Sequence, residues 1–172
     1  GLAAYRREIG AVVATIGPSC SAVAKAIIPL ARAGKKPTLI LGHGRDLTAT
    51  QAPGGYSFRV SQPDELNLKA FAHFILEKWK SEGKSKIAVL HDTSVAFSGT
   101  GAIMKDAAEA LGLDLVAVEA FELGTKDFTA QMLKVRQSGA EALVVVTYAG
   151  DQSRIMRQLS DFELTIPVAG GV

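Results

Sequence analysis

Apolar positions along the chain change period several times. Ile9 to Ile16 is an apolar run rich in β-branched residues, which predicts a buried strand. Val23, Ala26, Ile27, Leu30 and Ala31 then recur at helical spacing, with Ser19 or Ser21 as the cap. Pro29 inside that pattern predicts a kink, and Gly34 a stop. Before these elements, residues 1–8 read as the end of a helix. After them, Pro37 opens a short strand through Leu41, and Tyr56 to Val60 alternates as another. The stretches 42–46 and 52–55 read as loops. Ser61-Gln62-Pro63-Asp64 reads as a crossover into a helix.

From there the alternation is regular. A helix is predicted over 65–81, with Leu68, Phe71, Ala72, Ile75 and Trp79 inward. Strand 86–91, helix 99–111, strand 114–121, helix 127–138, strand 141–147, helix 151–161 and strand 166–169 follow. Gly83, Gly112 and Gly139 stand where helices must end. Strands alternating with helices predict an α/β fold with parallel sheets covered on both faces. Two strand-to-helix turns stand out. One follows Val12–Ile16 through Gly17-Pro18-Ser19-Cys20-Ser21. The other follows Ile87–Asp92 through Ala96-Phe97-Ser98-Gly99. Ligands of open α/β sheets bind at the carboxyl ends of strands, so these turns are where function is expected. Two such units predict two lobes with a cleft between them.

Composition narrows the classes. At 172 residues and 48% hydrophobic, the chain can build a real core. A net charge of +2 without runs of like charge argues against nucleic acid as a partner. No apolar stretch approaches the roughly 18 residues of a membrane helix, so no direct membrane insertion is expected. A single cysteine, Cys20, excludes an internal disulfide framework. No signal-peptide pattern is visible. No metal-ligand spacing, nucleotide-loop spacing or nucleophile elbow appears, so no metal and no cofactor are expected.

The residues alone leave alternatives open. Ser19-Cys20-Ser21 is either an anion clamp, using backbone N–H groups and short hydroxyls at a helix start, or a plain helix cap. His43, between Gly42 and Gly44, is a ligand contact or a solvated loop residue. Phe97 and Tyr148 are pocket walls or core. His91 and Asp92 are an acid–base pair of an α/β enzyme, or a local cap at a strand end. His73 is packing or surface.

In order along the chain, Ile16-Gly17-Pro18-Ser19-Cys20-Ser21, Tyr56-Ser57-Phe58-Arg59, Ile87 to Asp92, Gly124-Thr125-Lys126-Asp127-Phe128-Thr129 and Gln131-Met132-Leu133 match a known pattern. They resemble the type I periplasmic binding proteins, and within them the leucine/isoleucine/valine-binding proteins of ABC transporters. The resemblance runs over nearly the whole chain but covers about half of the family's length. It therefore implies a fragment that begins inside one lobe and stops inside the other. The implied fold is two Rossmann-like lobes with parallel sheets, incomplete here. Residues 1–61 would be part of lobe one and 62–172 part of lobe two, with a hinge crossover near 58–62.

The resemblance implies a non-enzymatic solute-binding subunit, periplasmic or extracellular, whose partners are a small carboxylate-bearing ligand and the membrane subunits of an ABC transporter. Lobe one would hold the ligand's carboxylate at Ser19, Cys20, Ser21, His43 and Gly44, and lobe two would supply Phe97 and Tyr148. Two departures matter. The loop after Leu41 carries Gly42-His43-Gly44-Arg45 where the family usually has Ser, Ala and Thr. The amino-acid binders also hold the ligand's ammonium with an acid near the last strand, whereas Ala169-Gly170-Gly171-Val172 has none, with Gly171 at the implied position. An aromatic or aliphatic acid is thus the alternative ligand, and a ligand-sensing domain of a receptor or regulator the alternative role. Asp92 or Asp151 could substitute for the missing acid.

Overall fold

A computed structural model describes residues 2–44, 47–48, 55–94 and 96–170. The chain divides into two compact units, Gly1–Leu66 and Asn67–Val172.

The first unit holds α1 (Leu2–Glu8), β1 (Thr15–Ile16), α2 (Ser21–Gly34), β2 (Thr38–Ile40) and β3 (Ser57–Arg59). The strands form a parallel sheet in the order β1-β2-β3, with Thr15 opposite Thr38 and Thr38 opposite Ser57. The buried Thr38 hydroxyl is bonded to Tyr5 Oη at 3.0 Å and to Thr15 Oγ1 at 2.8 Å, joining α1, β1 and β2. Ile27 and Ala31 of α2 pack with Tyr5, while Ala24 packs with Ile40 and Leu47.

Three expectations need correction here. The apolar run 9–16 is not one buried strand. Only Thr15 and Ile16 pair, and Val13 is 88% exposed. The run turns at Gly10-Ala11 and reaches only β2, so β-branched composition did not suffice without a second neighbour. Second, Gly34 is the last helical residue of α2 and not the residue that stops it. Lys35 takes the left-handed conformation (φ 48°), and the Lys36 N–H reaches the Ala31 carbonyl. Third, neither serine caps α2: Cys20 occupies that position without a side-chain bond. The helix is unbroken through Pro29.

The second unit takes in α3 (Asp64–Ser81) from Asn67 onward, then β4 (Lys86–Asp92), α4 (Thr100–Leu111), β5 (Asp114–Phe121), α5 (Thr129–Gln137), β6 (Ala142–Val146), α6 (Ala149–Asp161) and β7 (Val168–Gly170). Its parallel sheet has the order β5-β4-β6-β7. The predicted α/β fold with parallel sheets is what the structure shows. Gly83, Gly112 and Gly139 all have positive φ just past a helix, as their spacing predicts.

The central strands β4 and β6 are buried on both sides because successive side chains point to opposite faces. Ile87 and Val89, with Ala142, Val144 and Val146, meet Leu68 and Trp79 of α3 and Met104 and Ala107 of α4. Ala88 and Leu90, with Leu143 and Val145, meet Met132 and Val135 of α5 and Ile155 and Leu159 of α6. Two helices therefore cover each face. At the amino ends of β4 and β6, the Glu141 carboxylate accepts the Ser85 N–H at 2.6 Å and the Lys86 N–H at 3.1 Å. Among the described residues, no helix is long and apolar enough to cross a membrane.

Candidate functional site

The sheet order marks a topological switch point between β4 and β6. From β4 the chain passes through α4 to β5 on one side, then returns through α5 to β6 on the other. The helices after β4 and β6 lie on opposite faces, α4 over one and α6 over the other. Between adjacent strands of this kind the connections diverge at the carboxyl ends, which is where open α/β sheets bind ligands.

The residues at those two strand ends are bonded to each other. Asp92 closes β4 and is fully buried. Its Oδ2 accepts the Thr147 hydroxyl at 2.7 Å, just past β6, and its Oδ1 accepts the Ser94 N–H at 2.8 Å. His91 Nδ1 faces the backbone carbonyl of Asp92 at 2.9 Å rather than its carboxylate. The pair is therefore a strand-end fixture and not an imidazole–carboxylate dyad. On the same connection Ser94 Oγ and Thr100 Oγ1 are buried with no hydrogen-bond partner among the described residues. These two hydroxyls hold polar capacity that the other described residues do not use.

Above that bond the aromatic pair meets. The rings of Phe97 and Tyr148 lie with centroids 5.2 Å apart, tilted by 60°, a favourable aromatic contact. Phe97 is only 5% exposed and belongs to the core under α3 and α4, whereas Tyr148 is 43% exposed. Tyr148 is thus the face and Phe97 its backing. One turn into α6, the half-buried Gln152 side chain lies over Gly170 at the end of β7. A Cβ added to Gly170 would stand 2.4 Å from Gln152 Nε2 and 2.9 Å from the Val145 carbonyl oxygen. The buried Asp151 is engaged within the protein: Oδ2 accepts the Gly124 N–H at 2.7 Å and Oδ1 pairs with Arg154.

In the first unit, the turns after β1 and β2 close on each other. The Ser21 hydroxyl accepts the Gly44 N–H at 3.0 Å, and the Leu41 N–H reaches the Pro18 carbonyl at 3.1 Å. A Cβ at Gly42 would press on the Ser19 carbonyl oxygen and Ser21 Cα, both at 3.3 Å, so glycine permits this approach. Arg59 donates to the Gly44 carbonyl at 3.0 Å, Ser61 to the Gly42 carbonyl at 3.2 Å, and the Asp64 N–H to the His43 carbonyl at 2.9 Å. The backbone of loop 42–44 is accordingly held by its own protein. Burial raises the pKa of the Asp64 carboxyl above its ordinary value, opposed by the nearby His43 and Arg59. His43 Nδ1 lies 3.8 Å from Asp64 Oδ1.

Of the sequence-predicted residues, Ser19, Cys20 and the half-exposed His43 stand at the carboxyl ends of β1 and β2, while Ser21 and Gly44 bond to each other. Phe97 and Tyr148 come together in the second unit. Gly171, like Arg45, lies outside the described residues. Thr147 and Gln152 were missed. Thr147 directly after an apolar strand was the available signal for the first. Nothing local marks the second, because its position depends on β7 lying beside β6.

A family model for the periplasmic binding protein matches residues 1–172. The Leu/Ile/Val-binding protein homolog 3 of Brucella melitensis biotype 1 is 30% identical over 128 residues, 74% of this chain and 33% of that protein. The structure of a leucine binding protein from Thermotoga maritima MSB8 superposes with a TM-score of 0.79 at 24% identity, over 98% of this chain and 47% of that one. A solute-binding protein of an ABC transporter from R. palustris, solved with benzoate, gives 0.79 at 19% identity over 98% of this chain and 46% of that one. At these identities the two structures establish the fold. The chain spans about a third of the length of the curated relative and about half that of the structural neighbours.

Proposed function

The chain belongs to the periplasmic binding protein family, and from that premise we propose that it is part of the solute-binding component of an ABC uptake transporter. It works outside the cytoplasmic membrane, delivers its ligand to the transporter's membrane subunits, and carries out no chemistry on it. The ligand is a small carboxylate-bearing molecule, a branched-chain or other amino acid. Residues 1–61 and 62–172 are parts of two lobes, and the candidate contacts are Ser19, Cys20 and His43 in the first and Tyr148, backed by Phe97, in the second.

The observation that carries this reading is the exposed Tyr148 ring resting on Phe97 where the connections of β4 and β6 diverge. An exposed aromatic face suits a ligand with an apolar body, and the connection that carries Phe97 also holds two buried hydroxyls without a partner among the described residues. His91 and Asp92 offer no competing enzymatic dyad, since the imidazole faces a backbone carbonyl.

A second ligand class is favoured by one observation. An ammonium needs an available acid, yet Asp92 and Asp151 are buried and each carboxylate oxygen already has a partner inside the protein. An aliphatic or aromatic acid without an amine needs none.

A thermal-shift screen of the full-length protein against leucine, isoleucine, valine, alkanoic acids and benzoate tests both. A ligand at a hundredfold over its Kd stabilises the folded state by about 2.7 kcal/mol. A shift with branched-chain amino acids supports the first class, and a shift confined to acids lacking an amine supports the second. No shift with any of them rejects a small carboxylate as the ligand.

A further inference from the structure

We propose that Gln152 determines which polar group the ligand presents to the second unit, by offering a neutral carboxamide at the carboxyl end of the sheet. The inference rests on the site around Tyr148 being the ligand site.

Three observations place it there. Gln152 lies one turn from Tyr148, and its backbone N–H bonds the Tyr148 carbonyl at 3.1 Å, so the two side chains start from one rigid piece of α6. The amide nitrogen lies against Gly170, the last residue of β7, so the side chain extends back over the strand end. Its carboxamide also makes no hydrogen bond among the described residues, although the residue is half-buried. In this it differs from neighbouring Asp151, whose two oxygens are both engaged.

Gly170 makes the arrangement possible. Any side chain there would begin 2.4 Å from the Gln152 nitrogen, closer than real Cβ atoms approach, and would drive the carboxamide off the strand end. Position 170 therefore works as a seat for residue 152.

The chemistry follows from the group. A carboxamide donates two hydrogen bonds and accepts two, without carrying charge. Carried on the same end of α6 as Tyr148, it can donate to a ligand carboxylate or hydroxyl, and it avoids the cost of bringing a second anion near one. A glutamate at this position would do the reverse, repelling a carboxylate and pairing with an ammonium. Gln152 thus makes this end of the site tolerant of acids without an amine.

The test uses isothermal titration of the full-length protein with two probes, leucine and benzoate, on the wild type, Gln152→Met, Gln152→Glu and Tyr148→Ala. Met keeps the length of the side chain and removes its polarity. Gln152→Met is expected to weaken whichever probe binds the wild type by about tenfold, the loss of roughly one net hydrogen bond. Gln152→Glu is expected to shift the leucine-to-benzoate affinity ratio toward leucine by about tenfold or more, a change of preference that a packing role for residue 152 does not produce. Unchanged affinities and an unchanged ratio in both Gln152 variants, with binding lost in Tyr148→Ala, overturn the role of Gln152 and leave the site standing. Binding that survives Tyr148→Ala but responds to residue 152 keeps the inference and rejects the aromatic face. Failure of the wild type and every variant to bind either probe overturns both.

Discussion

The Ser21 hydroxyl accepts the backbone N–H of Gly44 at 3.0 Å, across 23 positions of sequence and inside the protein. It joins the turn after β1 to the turn after β2. A serine expected to cap its own helix does not do so, and its hydroxyl fixes the loop that carries His43. Ser21→Ala is therefore expected to leave a buried N–H without an acceptor and to destabilise the first unit by about 1–3 kcal/mol. Urea unfolding of the full-length protein, followed beside ligand titration, reads both effects. Weakened binding at unchanged stability would mean that Ser21 meets the ligand directly.

The aromatic pair separates two kinds of cost. Phe97 is core, so Phe97→Ala is expected to destabilise by about 3–5 kcal/mol. Tyr148 is 43% exposed, so Tyr148→Ala should barely move the melting temperature. It should instead weaken ligand binding by about 1–3 kcal/mol, through lost aromatic burial. Calorimetric melting and titration of both variants give the comparison. A large loss of stability in Tyr148→Ala would make it core and not face.

Asp92→Asn keeps the shape and removes the charge. The Asn oxygen can still accept the Ser94 N–H, while its NH₂ group donates to the Thr147 hydroxyl, which then accepts instead of donating. The expected loss is about 1–3 kcal/mol, since bonds to a charged acceptor are stronger than neutral ones. His91→Ala should change neither ligand affinity nor any turnover. Substrate consumption by the wild type that His91→Ala abolishes would reinstate the enzymatic reading.

Acid affects Asp64 and Glu141 in opposite senses. Burial raises the Asp64 pKa above 3.8, so the native state binds its proton more readily than the unfolded chain. Its contribution is most favourable below the unfolded value and is lost as pH rises through the native one. Asp64→Asn should consequently raise stability at neutral pH relative to wild type and narrow that gain on acidification. The His43 ring beside Asp64 opposes the rise, so His43→Ala should leave the Asp64 pKa raised further.

Glu141 has the other sign. The Ser85 N–H, then the Lys86 N–H, hold its pKa below 4.5. That stabilisation is present above the unfolded value and lost as pH falls through the native one. Glu141→Gln should flatten the acid limb of the stability profile below about pH 4.5. Denaturant midpoints measured from pH 3 to 7 distinguish the two carboxylates. Parallel curves for wild type and both variants would refute these assignments.

The second unit was the more legible in sequence. Its helix stops were written in Gly83, Gly112 and Gly139, because left-handed φ is a local requirement that glycine meets at little cost. Its central strands were visible as uninterrupted apolar runs, since β4 and β6 are covered on both sides. The run 9–16 misled for the same reason in reverse: composition shows that residues can line a sheet, not that a second strand will lie beside them. Lys35 took the role expected of Gly34 because the helix runs one residue further. Ser21 and Gln152 were out of reach of local reasoning. Their partners, Gly44 and Gly170, become neighbours only after the strands have paired. The places of Ser19, Cys20, His43, Phe97 and Tyr148 after strand ends were legible because strand ends are predictable.

The bond from Thr147 to Asp92 has a consequence for discrimination. It pins together the two central strands at the point from which the connections carrying Phe97 and Tyr148 depart. On the proposed ligand site, a floor fastened in this way resists spreading to admit a solute that is slightly too large, or settling around one that is slightly too small. A misfit of one methylene group, worth about 1–3 kcal/mol in an apolar pocket, is then felt in full. Cutting the bond would trade selectivity for breadth: Thr147→Val should accept a wider range of homologous solutes, each held less firmly than the preferred one is now.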